Sequence, residues 1–223
     1  MELALFSDNS LTFLARWIHL LVGVTWVGLL YYFNFIQGEY FKEADGGAKS
    51  DVIQHLVPRA LWWFRWAAML TLLSGIYLLY LKQLSGMGIM IGATLGIIMF
   101  LNVWLVIWPN QKIVIASARQ VAGGGEALPN AAAALGKAGL ASRTNTLFSI
   151  PMLFFMASSV HLGQLQTSIH EESIASLTIV YGLIAVLALN GIVGRTGPFT
   201  SIKGVISSSF LLTAILYLLV EMI

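Results

Sequence analysis

The sequence predicts an all-α integral membrane protein, a bundle of about six transmembrane helices with both termini outside. Three observations predict it. Of the 223 residues, 58% are hydrophobic and only 10% are charged. A soluble domain carries roughly 25% charged residues and could not hide so much apolar surface. Six stretches reach the roughly 20 apolar residues that a helix needs to cross a bilayer core of about 30 Å. None of them alternates with the two-residue period of a barrel strand, the other structure that satisfies its backbone in lipid.

The first stretch runs from about Leu11 to Gln37, the second from about Ala60 to Leu81 and the third from about Gly88 to Trp108. The fourth covers about Thr146 to Leu165, the fifth Ile174 to Val193 and the sixth Val205 to Met222. Ahead of the first, Glu2 and Asp8 stand where a signal peptide has a basic region, so it is expected to be a retained helix. No repeat of fixed period occurs, and residues 1–223 read as a single transmembrane helical domain.

The connection at about 110–143 is the one sizeable soluble part. Gln111 to Gln120 is expected to extend the third helix into water, and Gly123, Gly124 and Gly125 to break it. Ala131 to Ala141 reads as a short separate helix, with Ser142 or Thr144 capping the fourth span. Gly88, Gly92 and Gly96 form a small-residue stripe that admits a close helix, inside the bundle or across a homodimer. Internal packing is the preferred reading.

Basic residues set the orientation. Lys42, Lys49, Arg59, Lys112, Arg119, Lys137, Arg143, Arg195 and Lys203 fall on one side, and only Lys82 lies clearly in a loop on the other. Nine against one places the rich side in the cytoplasm and the termini in the periplasm of a bacterial inner membrane. Lipid is then the obligatory partner. A net charge of +2 gives no basis for a nucleic acid partner. The absence of cysteine excludes disulfides, thiolate metal sites, iron–sulfur clusters and a covalently attached c-type haem.

Ionisable groups at membrane depth are functional candidates because they are costly there. Arg16 and His19 lie in the first span, Arg65 in the second and His161 in the fourth. Glu221 reaches the outer interface, and His55 and His170 fall in loops. With a rise of about 1.5 Å per residue, His19 lies roughly 10 Å below the outer surface and His161 roughly 6 Å. Two neutral imidazoles facing each other at one height can hold a b-type haem. Arg16, three residues before His19, would stand over an outward propionate. Equally, each histidine could be a hydrogen-bonded interhelical residue and Arg16 a snorkelling one. Trp26, two turns deeper than His19, walls such a group or simply packs. Arg65, within Trp62-Trp63-Phe64-Arg65-Trp66, is either part of an interfacial aromatic belt or an anion contact stacked on Trp.

Four blocks, in order, carry a resemblance. They are Arg16-Trp17-Ile18-His19 through Gly23, Trp26 and Gly28; Trp62 to Trp66 followed by Leu73-Ser74-Gly75; Val103-Trp104 to Trp108-Pro109-Asn110-Gln111; and Arg143-Thr144-Asn145-Thr146 through Pro151 and Ser158-Ser159 to His161. As a set they resemble the membrane domain of the membrane-bound urate oxidase (urate hydroxylase) family. That family joins a multi-helix membrane domain to a C-terminal cytochrome c. The present chain departs from it in having fewer spans and no Cys-x-x-Cys-His site, so urate specificity is not carried over. A looser similarity links the first helix to the small haem-binding membrane family that oxidises protoporphyrinogen.

The resemblance implies heme b on His19 and His161, with Arg16 and Trp26 beside it. Thr25, Ser158 or Ser159 are the expected hydrogen-bond partners of the rings. The function it implies is a haem-dependent oxidoreductase that passes electrons from a small organic donor to an external cytochrome c or quinone. Arg65, Asn102, Arg143 and Asn145 are expected, from polarity and depth, to line an inner pocket for an anionic planar donor. The alternatives are a non-catalytic haem or solute transporter or haem-handling protein, and a structural subunit that docks a cytochrome.

Overall fold

The computed structural model describes residues 10–162, 165 and 173–222, and among them the chain is all-helical. Six helices are described: α1, Ser10–Glu43; α2, Gly46–Lys82; α3, Met87–Ala122; α4, Ala131–His161; α5, Ile174–Val193; and α6, Ile202–Met222. All but α4 are long and apolar enough to cross a membrane.

Local chemistry sets the breaks. Asp45 separates α1 from α2, and its carboxylate accepts the Ala48 N–H at 2.9 Å to cap α2. The α2 helix ends at Gln83, in the left-handed region at φ 48°. Gly124, at φ 87°, lies in the turn that stops α3, within the predicted glycine break. The predicted continuation of the third span past Trp108 is present, as is the fifth span, Ile174 to Val193. Val52–Leu56 in α2 and Asn102–Ile107 in α3 widen to π-helical pitch shortly before Pro58 and Pro109. A proline lacks an N–H and crowds the carbonyl four residues back, and a wider turn relieves both.

Two expectations are corrected. The run from Ala131 to Ala141 is not a separate helix: α4 is continuous through it to His161, and neither Ser142 nor Thr144 caps anything. Ser142 Oγ instead accepts a hydrogen bond from Asn34 at 2.8 Å, and Thr144 Oγ1 donates to the Leu140 carbonyl of its own helix. His55 is exposed as expected, but it sits on α2 rather than in a loop, with Nδ1 3.0 Å from Asp51. His170 lies outside the described residues.

Packing explains why α4 is the least apolar. The α1 and α2 helices lie along each other, while α4 packs against α3 and α6 and also meets α5 and α1. Thr144, Asn145, Thr146, Ser149 and Ser158 are buried on it. A helix surrounded by protein need not present an apolar surface to lipid, but its polar groups need partners. Asn34 reaches Ser142, Tyr31 hydroxyl lies 2.9 Å from Ser149 Oγ, and Ser209 donates to the Thr146 carbonyl at 3.3 Å. The glycine stripe of α3 is internal: a Cβ on Gly88 would lie 3.1 Å from Leu165 Cβ, and one on Gly92 3.1 Å from Met156 Cγ.

Candidate functional site

At one end of the bundle, α1 delivers His19 to α2. Its Nδ1 lies 3.0 Å from Ser74 Oγ. The single Ser74 hydroxyl proton is already donated to the Leu70 carbonyl at 2.6 Å. Ser74 Oγ can therefore accept from Nδ1 in the tautomer that carries its proton there, and in that tautomer Nε2 holds the free lone pair. Gly75 makes room for the ring: a Cβ there would lie 3.1 Å from His19 Cε1. One turn deeper Gly23 faces Thr71. Trp26 is buried in the core, 2% exposed, and its indole N–H has no partner among the described residues.

Arg16 is exposed, on the same helical side as His19. His161 is exposed in the last turn of α4. Gly88, at the start of α3, packs on Phe155 and Leu165, so His161 lies at the α2–α3 turn end of the bundle. Ser74 is eight residues from the end of α2, about 12 Å in. Thus the two histidines share an end of the bundle, but they lean on different helices, His19 on α2 and the end of α4 on α3. The expected ring partners do other work: Thr25, Ser158 and Ser159 donate to carbonyls of their own helices. Ser74 is the partner that sequence reasoning missed, although it stands in the Leu73-Ser74-Gly75 block; its facing of His19 depends on how α1 and α2 pack.

The inner residues separate into three environments. Asn102 and Asn145 are buried against each other: Asn102 Nδ2 donates to Asn145 Oδ1 at 2.8 Å, and Asn145 Nδ2 donates to the Met99 carbonyl at 2.9 Å. The Arg65 guanidinium stacks on the Trp108 ring, 3.8 Å from its centroid, and Lys112 approaches the same ring at 5.6 Å. Arg143 lies within electrostatic reach of Glu39, which also binds Lys42 at 2.7 Å. One guanidinium nitrogen of Arg65 and one of Arg143 is buried without a partner among the described residues. Trp108 and Lys112 belong to the Trp108-Pro109-Asn110-Gln111 region, and only tertiary packing pairs them with Arg65.

The family model of the urate oxidase N-terminal domain matches residues 82–195, just over half of the chain. The chain belongs to the urate oxidase N-terminal family. No curated protein and no solved structure matches it. The match takes in α3, α4 and α5, and so includes His161, the Asn102–Asn145 pair and Arg143. His19, Ser74 and Arg65 lie on the two helices that precede it. In this member of the urate oxidase N-terminal family, the described residues contain no cluster of three or more His, Cys, Asp or Glu side chains.

Proposed function

We propose that the chain is a b-type haem-binding oxidoreductase of the bacterial inner membrane, passing electrons from a small organic donor to an external cytochrome c or quinone. Family membership and the hydrogen-bonded state of His19 support this reading. The single observation that carries it is the Nδ1–Ser74 bond. Ligating histidines characteristically donate their second nitrogen in this way, which orients the ring and raises its basicity. The fit of the residues present is good at His19: an imidazole oriented by Ser74, in an apolar wall opened by Gly75. An apolar bundle also suits a flat apolar macrocycle.

In this reading α4 is a sixth crossing, its polar face turned into the bundle, and both termini are periplasmic. A haem held at this end supplies one-electron chemistry. The chain's own residues then have distinct tasks. Ser74 and Gly75 set the plane of the His19 ring. His161, from the end of α4, would be the second residue to hold the group. Arg16, exposed one turn above His19, offers a cation to propionate carboxylates. Trp26 closes the inner side and offers its unpaired N–H. With the Asn102–Asn145 pair closed on itself, Arg65 and Arg143 are the inner groups with donors left for an anionic substrate.

A reduced-minus-oxidised optical spectrum with iron quantitation tests the proposal. A b-type band is expected, lost in His19→Ala and in His161→Ala and retained in His55→Ala. A protein expressed with ample haem that shows no such band overturns it. Anaerobic reduction by urate would identify that donor.

A further inference from the structure

We propose that an open groove at the cytoplasmic end, between α3, α4 and α5, is a binding site for one anionic phospholipid. The groove has a volume of about 960 Å³. Its walls are Val106 from α3, Leu140 from α4, and Ile192 and Val193 from α5, with Lys137 and Arg195 at its polar margin. A Cβ placed on Gly136, which also lines it, would meet nothing within 4 Å.

Three features commit the site to a lipid. First, among the described residues neither Lys137 nor Arg195 is in an ion pair, so two cations face the groove uncompensated. Basic recesses between helices on the cytoplasmic side are suited to phosphate headgroups. Second, the apolar wall is open: Ile192 is 48% exposed and Val193 82%. A small soluble anion would leave that wall empty, whereas an acyl chain covers it. Third, the walls are fixed. A Cβ on Gly191 would lie 2.7 Å from Thr144 Oγ1, so α4 and α5 are in close contact just beside the groove. Asn190 holds the turn that carries Arg195, donating from Nδ2 to the Arg195 carbonyl at 3.1 Å and accepting its N–H at 3.3 Å. The inference needs the cytoplasmic placement of this end but not a haem.

Native mass spectrometry of the delipidated full chain, titrated with dioleoyl phosphatidylglycerol or dioleoyl phosphatidylcholine, tests it. The anionic phosphatidylglycerol is expected to bind more tightly than the zwitterionic phosphatidylcholine. At about 1 kcal/mol for each basic residue near the headgroup, K137Q/R195Q should weaken it roughly thirtyfold. Gly136→Leu keeps both charges and fills the groove; it too should weaken binding, and the open space there lets it fold. Equal binding of the two lipids overturns the proposal. So does unchanged phosphatidylglycerol binding in Gly136→Leu, which would mean headgroups adsorbed on surface charge alone. Full displacement of the lipid by millimolar inorganic phosphate or urate assigns the cations to a soluble anion and likewise overturns it.

Discussion

His19 Nδ1 lies in hydrogen-bond contact with the Ser74 hydroxyl at 3.0 Å, across the contact between α1 and α2 and 55 residues along the chain. The cofactor proposal rests on the orientation this contact gives the ring. Ser74→Ala removes the acceptor without removing the imidazole. Loss of such a partner typically costs about 10- to 100-fold in metal affinity or activity. Haem occupancy of the purified variant is expected to fall within that range while the helical circular dichroism stays unchanged. Gly75→Val pushes on the same ring and should lower occupancy further.

The buried amide pair should show a measurable coupling. Asn145→Ala strands the Asn102 side chain, a loss of about 1–3 kcal/mol when a buried partner is removed. Within membranes such couplings average about 0.6 kcal/mol and reach about 1.7 kcal/mol. A double-mutant cycle over Asn102→Ala and Asn145→Ala, read by unfolding in mixed micelles, is expected to fall in that interval. A coupling of zero would show that the pair does not fasten α3 to α4.

Two glycines should respond in opposite directions to the same substitution. A Cβ at Gly191 runs into Thr144, so Gly191→Ala forces α4 and α5 apart at about 1–3 kcal/mol. Gly136 faces open space, and Gly136→Ala gains helix propensity of up to about 1 kcal/mol. Thermal unfolding midpoints of the two variants, below and above that of the wild type, are the readout.

The stack of Arg65 on Trp108 joins α2 to α3 by an interaction that survives in low dielectric. Cation–π contacts are worth about 0.5–1 kcal/mol when exposed and about 2 kcal/mol when desolvated. Trp108→Leu and Arg65→Gln should therefore couple by an amount between these limits. Arg65→Lys, which keeps the charge but not the plane, should recover only part of it.

The cap of α2 gives a pH dependence. The Ala48 backbone N–H holds the Asp45 carboxyl below its usual value of 3.8. A carboxyl depressed on folding stabilises fully above the unfolded value, and that contribution is lost as the pH falls through the folded one. Asp45→Ala is expected to be less stable than the wild type at pH 7. The gap should close only below pH 3.8, and because Asp45 is fully exposed it should be small. Parallel thermal melts of both proteins down the pH scale check the sign.

The linear order of residues was enough for the helical class of the protein and for some helix limits, but α2 begins at Gly46 rather than near the expected Ala60, and α1 runs on past Gln37 to Glu43. Apolar runs as long as a bilayer is thick announce helices, so Ile174 to Val193 could be read directly, and the expected extension of the third span over Gln111 to Gln120 is present within a helix that runs to Ala122. The glycine run at 123–125 announced its own break for the same local reason. The polar residues of the fourth span misled, because Ser142 and Thr144 look like caps when only near neighbours are considered. Of the candidate site, the histidines and arginines were visible as costly groups in apolar runs.

What the chain order left open was who meets whom. The partners of Ser142, Ser149, Asn145 and His19 lie 43 to 118 residues away. Such hydrogen bonds form only once helices are in register, because lipid offers a polar side chain no other partner and packing decides which helix face is near enough. Hydropathy along the chain therefore determined that this protein is a helical membrane bundle. Only the packed bundle decided that α4 is its polar centre, and that Ser74, not a residue of the fourth helix, meets the His19 ring.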